Sequence, residues 1–351
     1  MLWAMRLSSV EVIPYALPFK EPYVTARGVL QRREMVLLRL RDEDGVVGLG
    51  EAVPLSLRGG VGLAEVVGEL EGWAETREVE GLSAPARCAV ATAEADLLGR
   101  RAGGAGAASD EAVACNATLV AGPPREVAAA AEGWAADGFT TFKLKLGVDS
   151  VKNLVGQGKP QSRDDVEQVR AVREALGPEV RIRVDVNAAW DLETAKRRLA
   201  DLEPVGIELA EQPVATLEEM AELAGATSIP LAADESVASL AEAERAAALG
   251  ACAYTGIKLS KVGGPEAALA IADVLPAFVT SALDGPVGIA AGAQVARSLA
   301  ETGHPERLHL AHGLATQRLF ATTIAAVEGE LRDGMLHLPA GPGLGIEIDE
   351  E

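Results

Sequence analysis

The fold is decided by five short segments: TTFKLKLG (residues 140–147), RIRVDVN (181–187), GIELAEQP (206–213), IPLAADES (229–236) and YTGIKLSKVGG (254–264). Each is typical of the end of a buried strand, and each carries an ionisable residue. Steps of 26, 23 and 24 residues separate Asp185, Glu211, Asp234 and Lys258. Because each step has the length of one strand and one helix, the spacing predicts a repeated strand–helix unit.

The alternation extends well beyond these five segments. Between about residues 113 and 315, eight short apolar runs alternate with alanine-rich amphipathic stretches. Strands that alternate with helices predict a parallel sheet, and eight such units have the size of a closed (β/α)8 barrel. A doubly wound open sheet is the alternative, but the GxGxxG turn that often accompanies it is absent from the sequence.

The chain ends have a different pattern. Strand patterns at 7–15 and 34–41, an Asp-Gly turn in RDEDGVVGLGEA (41–52) and helical patterns near 62–77 and 84–101 predict an α+β domain. The tail from about residue 320 is typical of a strand pair that packs back on this domain. We therefore predict an N-terminal domain at 1–110, a barrel at 111–318 and a C-terminal segment at 319–351.

Composition limits the classes of function. The chain has 351 residues, of which 48% are apolar and 24% charged, and its formal net charge of −20 argues against a nucleic-acid partner. The most apolar stretch, 267–296, is interrupted by Asp and Pro, so no membrane span is expected. Three widely spaced cysteines and an N-terminus without a signal-peptide pattern favour the cytoplasm.

Lysines and carboxylates at the predicted strand ends carry the chemistry. Lys143 and Lys145 are two residues apart on one strand and therefore face the same way. Two ammonium groups about 4 Å apart repel by up to roughly 4 kcal/mol at an effective dielectric near 20. This repulsion would lower the pKa of one lysine and make it a base near neutral pH, before nearby carboxylates raise the pKa again.

The three carboxylates predict a metal site. Asp185, Glu211 and Asp234 follow consecutive strands, and a ligand set made only of oxygen atoms suits Mg²⁺, with Mn²⁺ as a possible substitute. Lys258 follows the sixth barrel strand, opposite the lysine pair. A metal between two lysines suits removal of the proton α to a carboxylate, with the enediolate stabilised by Mg²⁺ and an ammonium group.

Each piece also has a structural interpretation. Asp185 is a common type of turn former, Glu211 could end a strand before Gln-Pro, and the lysine pair could lie on a solvated edge. A non-catalytic barrel with a structural cation is the alternative from another class of function. The order and spacing of all six residues favour an enzyme, because charged residues are rarely buried without a partner or role.

These motifs resemble the enolase superfamily, and within it the muconate-lactonising-enzyme subgroup. The matching residues are KLK (143–145), DVN (185–187), ELAEQP (208–213), DES (234–236) and IKLSKVGG (257–264). The resemblance covers essentially the whole chain and implies a modified TIM barrel with an N-terminal α+β capping domain completed by the C-terminal tail. It implies that Asp185, Glu211 and Asp234 hold Mg²⁺. It also implies that Lys145 is the acid/base, with Lys143 orienting it and Lys258 stabilising the enediolate.

Two further features narrow the resemblance to the o-succinylbenzoate synthase family. Arg183 lies two residues before Asp185, and VTSALDGPVGIAAGAQVA (279–296) opens with Thr-Ser and becomes glycine-rich before a helix. The resemblance implies a small dicarboxylate substrate whose second carboxylate is bound near Ser281 and Gly288, where backbone N–H groups meet a helix N-terminus. Arg183 could contribute, or could form a structural ion pair instead.

Other residues are expected around this centre. Asn187 and Glu235 are predicted to support the metal ligands, and loops near 20–28 and 54–62, with Arg27 and Arg58, are candidate lids. N-succinylamino-acid racemases, other epimerases and cycloisomerases of the subgroup are the rival functions, because two opposed lysines suit them equally. Dipeptide epimerases commonly carry an Asp-x-Asp motif that LAHGLAT (310–316) lacks. The sequence does not fix the oligomeric state; a monomer is the working expectation.

Overall fold

A computed structural model describes residues 6–25, 28–56, 59–103, 112–147, 164–301 and 310–349. An antiparallel sheet opens the chain in the order β1 (Leu7–Thr25), β2 (Gly28–Asp42) and β3 (Val47–Ala52). The predicted Asp-Gly pair lies in the turn between β2 and β3, where Gly45 has φ +83°. That backbone region favours glycine, which explains the choice of residue at this turn.

Two helices cover this sheet, α1 (Leu63–Thr76) and α2 (Ala84–Arg101). The buried side chains of α1 are Val66, Leu70 and Trp73, which recur at the helical spacing of four and three residues. They share one apolar cluster with residues of β2 and α2. Burial of each such side chain contributes about 1.5–3 kcal/mol, so this face holds the helix on the sheet.

The middle of the chain forms a parallel barrel. The short strand β4 (Val113–Ala114) precedes the barrel and belongs to a separate antiparallel sheet. The barrel strands are β5 (Ala117–Leu119), β6 (Thr141–Lys145), β7 (Arg181–Asp185), β8 (Leu209–Glu211), β9 (Leu231–Ala233), β10 (Tyr254–Ile257) and β11 (Ala277–Val279). The seven strands from β5 to β11 are hydrogen-bonded in chain order, and every pair is parallel. The intervening helices are α3 (Pro124–Ala136), α4 (Asp164–Leu176), α5 (Leu192–Leu202), α6 (Leu217–Ala224), α7 (Leu240–Leu249), α8 (Leu259–Val262), α9 (Pro265–Val274) and α10 (Pro286–Glu301).

The barrel closes through residues 312 and 313. Gly313 forms a parallel bridge with Thr280, and His312 forms one with Cys115. The backbone N–H of Gly313 donates to the carbonyl of Val279 at 2.8 Å, and Asn116 donates to His312 at 2.9 Å. The predicted eighth strand is thus reduced, within the described residues, to this pair of bridges. A barrel with a capping domain is confirmed as the fold class.

The C-terminal segment joins the barrel to the first domain. A 3₁₀ helix (Ala315–Leu319) leads to β12 (Ala325–Val327), β13 (Glu330–Arg332), β14 (Met335–His337) and β15 (Glu347–Ile348). β14 pairs with β4, whereas Leu344 donates its N–H to Asp96 of α2 at 2.7 Å. The tail therefore contacts both units. Among the helices of the described residues, none combines the length and apolar character that a membrane crossing requires.

We expect His312 to make the stability of the barrel closure depend on pH. Its Nδ1 accepts the backbone N–H of Val279 at 3.0 Å, and burial, aided by the charge of Arg183, lowers its pKa to about 3. Because this value lies below the ordinary 6.5, the stability contribution is present above pH 6.5 and is lost as the pH falls toward 3. We expect roughly 2–4 kcal/mol of stability to be lost across this window, after allowing for the partial exposure of the residue.

Urea unfolding of the wild type and His312→Asn between pH 3.5 and 7 measures this effect. The asparagine Oδ1 can accept the same N–H but does not titrate in this range. The variant should have a flatter profile than the wild type. Parallel profiles would contradict the role of His312.

Candidate active site

The strand ends bring the predicted lysines and carboxylates together at one end of the barrel. Lys145 is paired with Asp185 across β6 and β7, and Asp185 is paired with Glu211 across β7 and β8. Asp234 and Lys258 directly follow β9 and β10. Carboxyl ends of parallel barrel strands meet at one face, which is where such enzymes carry their active sites. The three carboxylate residues are fully buried.

Lys143 bridges two of the carboxylates. Its Nζ lies 2.7 Å from both carboxylate oxygens of Glu211 and 2.8 Å from Oδ2 of Asp185. Burial alone would lower the pKa of Lys143, but the charges of Asp185 and Glu211 outweigh it and raise the pKa above its usual value. The expected repulsion within the lysine pair is therefore not dominant for Lys143, because carboxylates surround it.

The same contacts set the charge states of the acids. Burial would raise the pKa of Asp185, but the ammonium groups of Lys143 and Lys145 hold it below its ordinary value. For Glu211, burial and the neighbouring charge of Asp185 raise the pKa. The site therefore concentrates negative charge that needs positive partners.

Lys145 differs from the other lysines in its exposure. Its side chain is 22% exposed, compared with 4% for Lys143 and 5% for Lys258. The Nζ of Lys145 contacts Oδ2 of Asp185 at 2.5 Å and Oδ1 of Asn187 at 3.0 Å. Among these three lysines, Lys145 is thus the one most accessible to a molecule in the barrel mouth.

Asp234 has two lysine partners. Lys258 Nζ pairs with its Oδ2, and Lys261 Nζ lies 3.0 Å from its Oδ1 while also contacting its backbone carbonyl. Lys261 was not predicted as a site residue. Its only signal in the sequence is its position one helical turn after Lys258.

Side chains behind the ligands fix the strand ends. The Nδ2 of Asn187 donates to Oε1 of Glu235 at 2.9 Å, which joins the two residues predicted to support the site. Gln212, also missed from the sequence, accepts the backbone N–H of Asp234 at 2.8 Å. Asn187 and Gln212 have φ of +50° and +40°. Such strained positions are frequent at functional sites, where the surrounding structure holds them in place.

Arg183 lies deeper in the barrel than the carboxylates. It is fully buried; its Nε contacts Oε2 of Glu208 at 2.5 Å and its Nη1 donates to the carbonyl of Ala311 at 2.7 Å. Its guanidinium group also stacks on Phe278, 5.0 Å from the ring centre. This arrangement is the structural ion pair considered as the alternative to substrate binding, and we assign Arg183 no substrate contact.

Ser281 and the helix N-terminus beside Gly288 also have partners within the protein. The hydroxyl of Ser281 donates to Oδ2 of Asp284 at 2.6 Å, which closes the turn after β11. At the N-terminus of α10, the backbone N–H of Gly285 donates to Oε1 of Glu51 at 2.7 Å. A protein carboxylate therefore lies where the sequence predicted a substrate carboxylate. The predicted lid arginines, Arg27 and Arg58, lie outside the described residues.

The donor set fits a hard divalent cation in its chemistry. In the described part of the chain, no three His, Cys, Asp or Glu side chains are arranged as a ready-made metal cluster. The carboxylates of Asp185, Glu211 and Asp234 instead face lysine ammonium groups. They still provide buried oxygen ligands of the kind that Mg²⁺ prefers, and a bound cation would have to displace the ammonium groups.

The fold and the strand-end residues define a capped (β/α)8-barrel enzyme. Residues 126–351 match the family described as Enolase C-terminal domain-like. Residues 8–65 match the family described as Mandelate racemase / muconate lactonizing enzyme, N-terminal domain. The chain therefore belongs to the enolase superfamily, in its muconate-lactonising-enzyme subgroup.

Similar proteins within this family have different activities. The chain is 40% identical to o-succinylbenzoate synthase of Thermobifida fusca over 211 residues, which are 60% of this chain and 61% of that enzyme. It is 27% identical to chloromuconate cycloisomerase of Pseudomonas putida over 99% of this chain and 98% of the other.

Solved structures with the same fold also belong to enzymes with different activities. Muconate lactonizing enzyme from Pseudomonas fluorescens, complexed with muconolactone, is 28% identical with a TM-score of 0.82, covering 99% of this chain and 98% of that one. A dipeptide epimerase from Cytophaga hutchinsonii, complexed with Mg and D-Ala-L-Val, is 26% identical with a TM-score of 0.82, covering 99% and 97%. The family is thus fixed, whereas the reaction is not.

Proposed function

We propose that the chain is a Mg²⁺-dependent o-succinylbenzoate synthase. In this reaction, 2-succinyl-6-hydroxy-2,4-cyclohexadiene-1-carboxylate loses water to form o-succinylbenzoate, a step of menaquinone biosynthesis. The observation that carries the chemistry is the group of lysines and buried carboxylates at adjoining strand ends. The choice of substrate rests on the 40% identity to the Thermobifida fusca enzyme.

Asp185, Glu211 and Asp234 would hold the metal ion. When bound, Mg²⁺ supplies positive charge beside the substrate carboxylate. These acids are paired with lysines in the structure, so the ion would replace part of the positive charge that now balances them.

Lys145 is the proposed acid/base. As a free amine, its Nζ takes the proton from the carbon next to the carboxylate, and the electron pair moves into the enediolate. The same Nζ then returns this proton to the neighbouring hydroxyl, which leaves as water as the ring becomes aromatic. The greater exposure of Lys145 and its contact with Asn187 support this assignment.

Lys258 and Lys143 have supporting roles in this proposal. The ammonium group of Lys258, on the strand end beyond Asp234, stabilises the enediolate from the side opposite Lys145. Lys143 is held by two carboxylates and keeps a positive charge, which orients and tunes the neighbouring Lys145.

A racemase of N-succinylamino acids is the second candidate function. Two opposed lysines favour it, because one can remove an α proton on one face and the other can return a proton on the opposite face. The absence of an Asp-x-Asp motif in residues 310–316 speaks against a dipeptide epimerase.

An assay with both kinds of substrate separates these functions. The purified protein with Mg²⁺ is tested on the cyclohexadiene substrate and on N-succinyl amino acids, with muconate as a third substrate. We expect dehydration of the cyclohexadiene substrate to have the highest kcat/KM of the three reactions. Racemisation without dehydration would contradict the proposed function and favour the second candidate.

A further inference from the structure

A buried hydrogen-bonded cluster joins the capping domain to the turn that leads into α10. We call it the acid clasp, and it consists of Tyr15, Glu51, Asp284, Gly285 and Gly288. The hydroxyl of Tyr15 donates to Oε2 of Glu51 at 2.8 Å, and the N–H of Gly285 donates to Oε1 at 2.7 Å. The N–H of Gly288 also faces Glu51 and lowers the pKa of its carboxyl group. A carboxylate from β3 therefore caps a barrel helix whose sequence lies more than 230 residues away.

The two glycines of the acid clasp make room for this carboxylate. A Cβ atom at Gly288 would lie 2.7 Å from Oε1 of Glu51 and 2.8 Å from the Cβ of Asp284. A Cβ atom at Gly285 would lie within collision distance of the hydroxyl of Tyr15. Both positions accept only glycine while Glu51 remains in place, so the first turn of α10 is shaped to receive it.

The titratable groups around Glu51 are, with the exception of Arg33, acidic or uncharged. Burial, followed by the charge of Asp284, raises the pKa of Glu51 to about 7, and burial also raises the pKa of Asp284. The other titratable or charged groups that act on this pair are Tyr15 of β1, Arg33 of β2 and Cys88 of α2. The positive charge of Arg33 lowers the pKa of Asp284, but burial has the larger effect and the pKa stays above its ordinary value. Burial and, for Glu51, the charge of Asp284 therefore disfavour the ionised forms of these two acids.

The turn held by the acid clasp borders the barrel mouth. It follows β11 directly, and the N–H of Ser281 donates to Gly313 in the barrel closure at 3.0 Å. Leu283 in this turn has a φ of +67°, which is strained for leucine. A cavity of about 690 Å³ adjoins Asp284, Gly285 and Pro286, so packing on that side of the turn is incomplete.

We propose that Glu51 is a positioning residue through which the capping domain sets the conformation of the β11–α10 turn beside the active site. Its Oε1 holds the backbone N–H of Gly285, and Tyr15 fixes its Oε2. The link to the active site rests on the proposed function, whereas the contact itself does not.

Hydrogen–deuterium exchange tests the contact without any substrate. The comparison uses the wild type, Glu51→Ala, Glu51→Gln and Glu34→Ala, an exposed glutamate of the same domain. Exchange of the Gly285 amide should be about tenfold faster in Glu51→Ala, the effect of losing about one hydrogen bond, with the other two variants close to the wild type. Unchanged exchange in Glu51→Ala, or equally fast exchange in Glu51→Gln, would overturn the proposal.

Steady-state kinetics at a temperature well below unfolding test the link to the site. We expect kcat/KM to fall about tenfold or more in Glu51→Ala and to be largely restored in Glu51→Gln, because displacement near the reacting groups is costly. Faster exchange with unchanged kcat/KM would overturn the positioning role. If the wild type itself fails to dehydrate the substrate, the proposed function fails, while the exchange result still decides the contact.

We expect the stability of the protein to depend on pH through Glu51. The pKa of Glu51 is raised from the ordinary 4.5 to about 7, so its contribution is present below pH 4.5 and is lost as the pH rises through 7. The Tm of the wild type, compared with that of Glu51→Gln, should therefore fall more between pH 5 and 8. An identical dependence of Tm on pH in the two proteins would contradict a raised pKa of the buried Glu51.

Discussion

Replacement of Lys145 by alanine is expected to lower kcat by about 10³- to 10⁴-fold while the protein remains folded, because an acid/base group contributes this much to proton transfer. The exposed fraction of this side chain is 22%, so its removal leaves the barrel core intact. Steady-state kinetics with Mg²⁺ and the cyclohexadiene substrate measure the loss. Thermal unfolding shows whether the fold is retained.

Lys196→Ala is the matched control. Lys196 lies on α5 and pairs on the surface with Glu193 and Glu222, where such contacts contribute about 0–1 kcal/mol. This variant should keep wild-type kcat. A Lys145→Ala enzyme that retains a tenth or more of wild-type activity would remove Lys145 from the mechanism, since that loss is only about 1.4 kcal/mol.

Replacement of Glu211 by glutamine is expected to weaken Mg²⁺ binding by on the order of 10²-fold or more, because even groups behind metal ligands contribute 10–100-fold. Glu211 is fully buried, and both its oxygens lie 2.7 Å from Lys143. The loss of its charge leaves Asp185 and Asp234 to balance the ion. Isothermal titration with Mg²⁺, or Mn²⁺ binding followed by electron paramagnetic resonance, measures the affinity.

Glu208→Gln is the control for this variant. Glu208 precedes Glu211 by three residues but pairs with Arg183, away from the carboxylates. Its replacement should leave the metal affinity unchanged. Equal affinity in Glu211→Gln and the wild type would contradict the proposed metal site.

Chelation with EDTA should abolish activity in the wild type, and added Mg²⁺ should restore it.

The strand-end residues could be predicted from the sequence because the repeat itself carries the information. A charged residue recurs at the ends of five consecutive apolar runs, and parallel strands bring such ends to one face. Lys145, Asp185 and Glu211 are accordingly neighbours in the register of β6, β7 and β8. The helices α1 and α2 were likewise evident from their apolar spacing.

Contacts across long separations could not be predicted in this way. Glu51 belongs to a strand pattern, GLGEA, and nothing local indicates that its partner is the turn at Gly285. The same holds for Arg183, whose partner Glu208 lies directly before β8. From the sequence, mutual repulsion was expected to lower the pKa of one lysine of the pair. The carboxylates around Lys143 instead raise its pKa, and only the distances in the structure reveal this.

The most direct test of the proposed chemistry is a single turnover with substrate deuterated at the carbon next to the carboxylate. If Lys145 removes this proton, the deuterated substrate should react more slowly than the ordinary one in the wild type with Mg²⁺. Neither substrate should react at a measurable rate with Lys145→Ala. Equal rates for the two substrates, together with a turnover that survives in Lys145→Ala, would contradict proton removal by Lys145.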